Sequence, residues 1–182
     1  MEIDEAISKR RTIQNFSKKK VASEIIDKAI SAANKAPCHK LTFPWRYRNI
    51  NKETRLKYAL IVIEKKTTGQ NTSEKMMNKI KSKLLDPSDL IVVTQIKSSS
   101  VIRQKEDYAA CCCSIQNLSL SLTGQGVGMK WSTGELTTID STYILLNINK
   151  DIEDIIGFLW IGYGECPSEI HRPKLNDIYF KQ

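Results

Sequence analysis

The sequence predicts an α+β fold. Several segments repeat apolar residues at helical spacing, and a few short apolar or β-branched runs read as strands. The two kinds are interspersed without the regular βαβ rhythm of a doubly wound sheet. One long helix, over about 104–125, is the expected centre of the core. The length, 182 residues, suits one domain spanning residues 1–182.

The elements follow in order. Ile3, Ala6, Ile7 and Arg10 predict a first helix over about 2–10. Ser23 is placed to cap a second helix, whose buried stripe is Ile25, Ile26, Ala29, Ile30 and Ala33, with Pro37 just past its end. Phe43-Pro44-Trp45-Arg46-Tyr47 reads as extended chain entering a strand. Leu56, Ala59, Leu60 and Ile63 mark a third helix. Met76, Met77, Ile80 and Leu84 mark a fourth, which stops before the turn Asp86-Pro87-Ser88. Leu90-Ile91-Val92-Val93-Thr94 is a buried strand. The long helix presents Tyr108, Cys111, Ile115, Leu118 and Leu122 as its apolar face, and its small residues (Ala109, Ala110, Ser114, Ser119, Ser121) admit close helix neighbours. Ile155 to Tyr163, almost continuously apolar, is a central strand. After Gly164 a polar, proline-punctuated tail runs to Gln182; it has no core of its own and is expected to wrap another surface.

Composition excludes several classes. Hydrophobic residues at 41% and charged residues at 26% describe an ordinary globular chain. No run of about 18 apolar residues exists, which argues against a membrane span, and no apolar stretch follows the N-terminus as a signal peptide requires. The formal net charge of +8 permits an anionic partner. The basic residues are scattered, however, and the densest cluster, Lys18-Lys19-Lys20, has no aromatic interleaving, so a solvated surface is favoured over a nucleic-acid interface. A basic pocket for a phosphorylated small molecule is equally compatible. The five cysteines (Cys38, Cys111, Cys112, Cys113, Cys166) are odd in number and form no CxxC or Cys/His zinc spacing, which points to a reduced, cytoplasmic setting and to no metal site. Three adjacent cysteines on a helix point about 100° apart and cannot converge on one ion.

Three segments carry chemistry. Arg10-Arg11-Thr12 lies just past a helix. Cations there stabilise a helix C-terminus through its dipole; equally, two guanidiniums and a hydroxyl make a phosphate site. In Ala36-Pro37-Cys38-His39-Lys40, followed by Pro44-Trp45-Arg46, a lone histidine is more often structural than catalytic. With Lys35, Lys40 and the Pro-Trp pair it would form a rim for a flat aromatic ligand. Gly124-Gln125-Gly126-Val127-Gly128 is not a dinucleotide fingerprint, because it follows a long helix and its spacing is wrong. It reads as a glycine helix stop, and Trp131-Ser132-Thr133-Gly134 then supply hydroxyl and backbone donors in a tight loop.

In this order these segments resemble the FMN-dependent nitroreductase family. The shared pattern is Arg-Arg-Ser/Thr near the N-terminus, Ala-Pro and Pro-Trp after the second helix, and a long helix carrying Gln116-Asn117-Leu118. A glycine-rich turn with Trp131 follows, and then a strand with Gly157-Phe158-Leu159 and Gly162. The likeness spans about residues 3–165 and is nearest to the small YdjA-type branch of the family. It implies a central, mainly antiparallel sheet packed by helices, in an intertwined homodimer whose C-terminal extension, about 164–182, wraps the partner. It also implies FMN at the subunit interface, held by Arg10, Arg11 and Thr12 at the phosphate and ribityl chain and by Trp131, Ser132 and Thr133 beside the ring. Lys35 and His39 match positions that reach the flavin of the other subunit. The chain departs from many relatives at Gln14, where they carry Arg or Lys, at His39-Lys40, where they carry Gly-Asn, and at Phe43, where they carry Gln. Arg172 and Lys174 stand where many relatives have basic residues near the C-terminus.

The implied activity is ping-pong transfer of electrons from NADH or NADPH, through the flavin, to a nitroaromatic, quinone or activated alkene. The protein holds and tunes the flavin and needs no catalytic residue of its own. Two other readings compete. One is a flavoprotein of the same fold in another redox role, a dehydrogenase or dehalogenase. The other is a basic nucleic-acid-binding protein without enzymatic activity, which would be colourless and salt-sensitive in binding. A metal-dependent enzyme is disfavoured, since His39 and His171 have no carboxylates at ligand spacing.

Overall fold

The computed structural model describes residues 1–67, 73–168 and 170–181. A four-stranded sheet forms its middle layer: β1 (Trp45–Asn49), β2 (Asp89–Ile96), β3 (Gly128–Ser132) and β4 (Glu153–Gly162). The strands lie in the order β1-β2-β4-β3, and every adjacent pair is antiparallel. Both faces of β2 and β4 are covered by helices, which is why these strands read as nearly unbroken apolar runs. In β4, Ile155, Phe158 and Trp160 face one layer while Ile156, Leu159 and Ile161 face the other. A register shift opposite Val93/Thr94 resets the alternation between Ile155 and Phe158.

One layer contains α2 (Ser23–Ala33) and α5 (Val101–Thr123). They meet through small residues: Ala29, Ala33, Ala110 and Ser114 are all buried, and the Ser114 hydroxyl donates to the Ala33 carbonyl at 2.7 Å. Asn117 donates to the Ala32 carbonyl at 3.4 Å, so this part of the long helix also satisfies the open end of α2. The other layer holds α3 (Lys52–Thr67), α4 (Glu74–Leu85) and α6 (Asp140–Leu146). Tyr58, Val62, Ile80 and Tyr143 pack there against Phe158 and Trp160. The first helix, α1 (Ile3–Lys9), buries only Ala6.

Several local expectations shift. Ser23 is the first helical residue of α2, not its cap; Ala22 occupies the cap and offers no side-chain oxygen. The long helix begins at Val101, capped by Ser100, whose hydroxyl accepts from the Arg103 N–H. Along its first turns it buries Asp107 and leaves Tyr108 47% exposed, so Tyr108 is not on the apolar face. After the helix stop at Gly124, Gly126 takes the left-handed conformation, with φ +71°. The chain then enters a strand, β3, in place of the tight loop expected at Trp131. The tail is exposed throughout its described residues, with one short 3₁₀ turn at Leu175–Asp177.

Candidate functional site

The segment after α1 and the start of β3 are joined. Thr12 forms a parallel bridge with Met129, and the Ile13 N–H donates to the Met129 carbonyl at 3.2 Å. Gly128 is required at this join, because a β-carbon there would overlap the Ile13 side chain. The parallel bridge joins the Arg10-Arg11-Thr12 segment to the strand that bears Trp131 and Ser132: it carries Gln14 toward Ser132 and Thr133, with which Gln14 lines one cavity, and leaves Arg10 and Arg11 on the other side of Met129.

The two arginines do different things. Arg11 donates to the carbonyls of Ser8 at 2.6 Å and of Arg10 at 2.9 Å, closing the C-terminal end of α1. The Arg10 guanidinium makes no hydrogen bond or ion pair with the described residues. The helix-end reading of this motif therefore belongs to Arg11, and the free anion-binding fork to Arg10.

The side chains of β3 alternate. Trp131 faces the α5 layer, where its ring lies on Gly157 and its Nε1–H donates to the Ile156 carbonyl at 3.4 Å. Lys130 and Ser132 face the opposite way, into a cavity of about 270 Å³ that Gln14 and Thr133 also line. The cavity floor is aromatic and buried, from Tyr58, Phe158 and Trp160, and Lys66 and Lys83 stand with Lys130 in its wall. Burial, and then the charges of Lys83 and Lys66, hold the Lys130 ammonium below the ordinary lysine range. Thr133 also borders a wider, open cavity of about 720 Å³ lined by Gln95, Gln104 and Tyr108.

Lys35 and His39 are not brought to this cluster. They lie near the entrance to β1, and β1 and β3 are the opposite edges of the sheet. Three strand spacings, about 14 Å, separate those edges. His39 instead faces Glu106 on α5 at 3.9 Å, and Glu106 also contacts Arg103 at 3.4 Å. The loop carrying His39 is tied down by the Thr42 hydroxyl, which donates to the buried Asp107 carboxylate at 2.6 Å. Lys40, Leu41 and Phe43 all have positive φ there, and Leu41 and Phe43 project large apolar side chains into solvent. Arg172 and Lys174 lie in the exposed tail.

Among the described residues no group of His, Cys, Asp or Glu is arranged to hold a metal ion, and no helix is long and apolar enough to cross a membrane. The donor set suits a phosphorylated aromatic cofactor. A free guanidinium and a hydroxyl stand at one end, and the hydroxyls of Ser132 and Thr133 at the other, beside an open cavity.

The sequence profile of the nitroreductase family matches residues 7–163. A protein of Bacillus subtilis (strain 168), YfhC, provisionally named an NAD(P)H nitroreductase, is 29% identical over 177 residues, covering 95% of this chain and 90% of that one. Among solved structures, a nitroreductase-like family protein from Bacillus cereus superposes with a TM-score of 0.87 at 25% identity, over 100% of this chain and 96% of that one. Iodotyrosine deiodinase bound to FMN and 3-iodo-L-tyrosine superposes at 0.77 with 18% identity, over the whole of both chains.

Proposed function

The chain belongs to the nitroreductase family, and from that premise we propose that it is an FMN-dependent NAD(P)H oxidoreductase acting on small electron-poor acceptors. The observation that carries this reading is the bridge from Thr12 to Met129, which joins the Arg10-Arg11-Thr12 segment, with Arg10 unpaired among the described residues, to the strand that bears Trp131 and Ser132. Arg10 and the Thr12 hydroxyl would hold the phosphate and ribityl end, with Arg11 keeping the segment in place. Trp131, Ser132 and Thr133 would border the ring. Bound flavin would supply the two-electron chemistry.

Lys35 and His39 would serve the site of the partner subunit. Their position at the far end of the sheet supports a homodimer, as do the exposed Ile3, Ile7, Val101 and Ile102 and the apolar tail residues Leu175, Ile178, Tyr179 and Phe180. Residues 1–182 would then form one such unit, with about 164–182 laid over the partner. Reductant and acceptor would take turns in one site, in the manner of ping-pong kinetics, and nitroaromatics, quinones and activated alkenes are the acceptor classes to screen.

The visible spectrum of the purified protein, before and after denaturation, tests the reading. A yellow protein that releases FMN stoichiometrically with the chain is the expected result. A colourless protein that takes up no added FMN overturns it.

A further inference from the structure

The flavin contacts proposed above use neither Cys38 nor Cys111, yet the fold brings these two thiols together. Cys38 is half-buried and precedes the 3₁₀ turn His39–Leu41. Its sulfur accepts the Phe43 N–H at 3.3 Å and lies 3.2 Å from the Thr42 hydroxyl oxygen. That hydroxyl gives its own proton to the buried Asp107 carboxylate at 2.6 Å, so the Cys38 thiol donates to Thr42. The thiol proton is thereby aimed along two hydrogen bonds toward a carboxylate, an arrangement that readies a nucleophile. Cys111 stands one helical turn after Asp107, and both are buried on the same face of α5. Cys38 packs against the core cluster that contains Cys111. Burial, and then Cys112, Asp107 and Cys38, push the Cys111 thiol up to about 12. Cys111 is therefore shielded from oxidants in solvent, while a charge on Cys38 is close enough to act on it. The first thiol is reached from outside and the second only through the first. The contacts of Cys38 also matter to the chain around it: Lys40, Leu41 and Phe43 are held at positive φ, and the Phe43 N–H and the Thr42 side chain both end on the Cys38 sulfur.

We propose that Cys38 and Cys111 form a reversible disulfide under peroxide, and that the bond loosens the loop bearing His39. The Cys38 sulfur attacks a peroxide oxygen; the O–O bond breaks, and hydrogen peroxide leaves one oxygen as the sulfenic acid and the other as water, which takes the thiol proton. The Cys111 sulfur then displaces the sulfenic hydroxyl, which departs with the Cys111 proton as a second water. The two thiols together lose two electrons, and the peroxide gains them. With its sulfur turned to Cys111, Cys38 no longer donates to Thr42, and the Phe43 N–H is left with a poorer acceptor. Transient disulfides of this kind suit a reducing compartment, where a thiol reductant restores them. The inference goes beyond the flavoprotein reading and stands without it, because its test reads the chain alone. The full-length reduced protein is treated with hydrogen peroxide, alkylated, digested without reduction and mapped by mass spectrometry, with fragment ions assigning the bond among the three adjacent cysteines. The expected result is a Cys38–Cys111 peptide pair, lighter by two hydrogens than its separate thiol peptides and lost on adding dithiothreitol. Amides 39–43 exchange several-fold faster in the oxidised protein and slow again on reduction. In Cys111→Ala, Cys38 stops at the sulfenic acid and is captured by dimedone; in Cys38→Ala, Cys111 stays a thiol. The exposed Cys113 and Cys166 can both be changed to serine without effect on the bond. A Cys38 that remains a thiol, or that pairs with Cys113, Cys166 or a second chain, overturns the proposal. So does a Cys38–Cys111 bond that leaves exchange at 39–43 unchanged.

Discussion

The Trp131 indole rests on the bare backbone of Gly157. A β-carbon at Gly157 would overlap Nε1, come within 2.7 Å of Cδ1 and lie 2.8 Å from the Ser132 carbonyl oxygen. β3 and β4 therefore pack with the Nε1–Cδ1 edge of the indole against the glycine, and the positions of Ser132 and Thr133 depend on it. Gly157→Ala pushes the indole away and shifts the end of β3. Overpacking of this kind costs about 1–3 kcal/mol. The expected result is a lower urea midpoint together with weaker FMN binding by flavin fluorescence. A variant that loses neither would show that the Trp131 ring does not set the site.

Arg10 and Arg11 are adjacent but separable. Arg11 is committed to the carbonyls at the end of α1, whereas Arg10 is free to meet a phosphate. Arg10→Gln is expected to weaken FMN binding by about tenfold to a hundredfold, the scale of one hydrogen bond to a charged group, with little change in melting temperature. Arg11→Gln is expected to lower the melting temperature, with any loss of FMN affinity following from the loosened segment. Flavin quenching titrations and thermal melts on both variants check the split. The reverse pattern would assign the phosphate to Arg11.

Much of this arrangement was readable from residues alone. The alternation of strongly apolar strands with amphipathic helices marked β2, β4 and α2 to α5, because burial on both faces leaves a dense apolar signature. β3 and α6 were not marked. Gly128-Met129-Lys130-Trp131-Ser132 alternates apolar and polar residues over only five positions, behind a glycine-rich turn that dominates local reading. Asp140–Leu146 is too short to show a helical period. The Arg10 and Trp131 segments were each visible, but their join through Met129 is a contact between distant parts of the chain. The cavity lysines are scattered over α3, α4 and β3, so no local motif announces them.

Across β1, β2 and β4, Arg48 grips Glu153 with two parallel hydrogen bonds of 2.9 and 2.7 Å, and the Thr94 hydroxyl also donates to Glu153. Burial pushes the Glu153 carboxyl up, but the bonds from Arg48 and Thr94 and the charges of Arg48 and Arg46 outweigh it, holding the carboxyl below the ordinary value of 4.5. In the unfolded chain Glu153 binds its proton at higher pH than in the fold. Its contribution is therefore complete above the ordinary glutamate value and is lost as pH falls through the depressed one. Melting temperature is expected to fall with acidification through this window in the parent protein. Glu153→Gln is expected to melt lower at neutral pH, by about 1.5–3 kcal/mol of lost stability, and to show a shallower acid limb. An acid limb of unchanged slope would assign the acid sensitivity to other carboxylates.

The loop that bears His39 is held in an unfavourable shape by one buried group. Lys40, Leu41 and Phe43 have φ of 59°, 55° and 45°, conformations that cost non-glycine residues about 1–2 kcal/mol each. The Thr42 hydroxyl on buried Asp107 and the Phe43 N–H on the Cys38 sulfur, at 3.3 Å, oppose that cost. Thr42→Val keeps the side-chain shape but leaves the Asp107 carboxylate without its donor, a loss of about 1.5–3 kcal/mol. The loop then has less to hold it, so its amides should exchange faster and Leu41 should become a site of early proteolysis. Lys40→Gly acts oppositely: glycine adopts the positive φ without strain and should raise stability by about 1 kcal/mol, less the entropy glycine gains when unfolded. If His39 serves the flavin of the partner subunit, Thr42→Val also weakens FMN binding, while Lys40→Gly leaves it intact. Hydrogen exchange, urea unfolding and flavin titration on the two variants decide the matter. Unchanged exchange in Thr42→Val would mean that Asp107 does not anchor the loop.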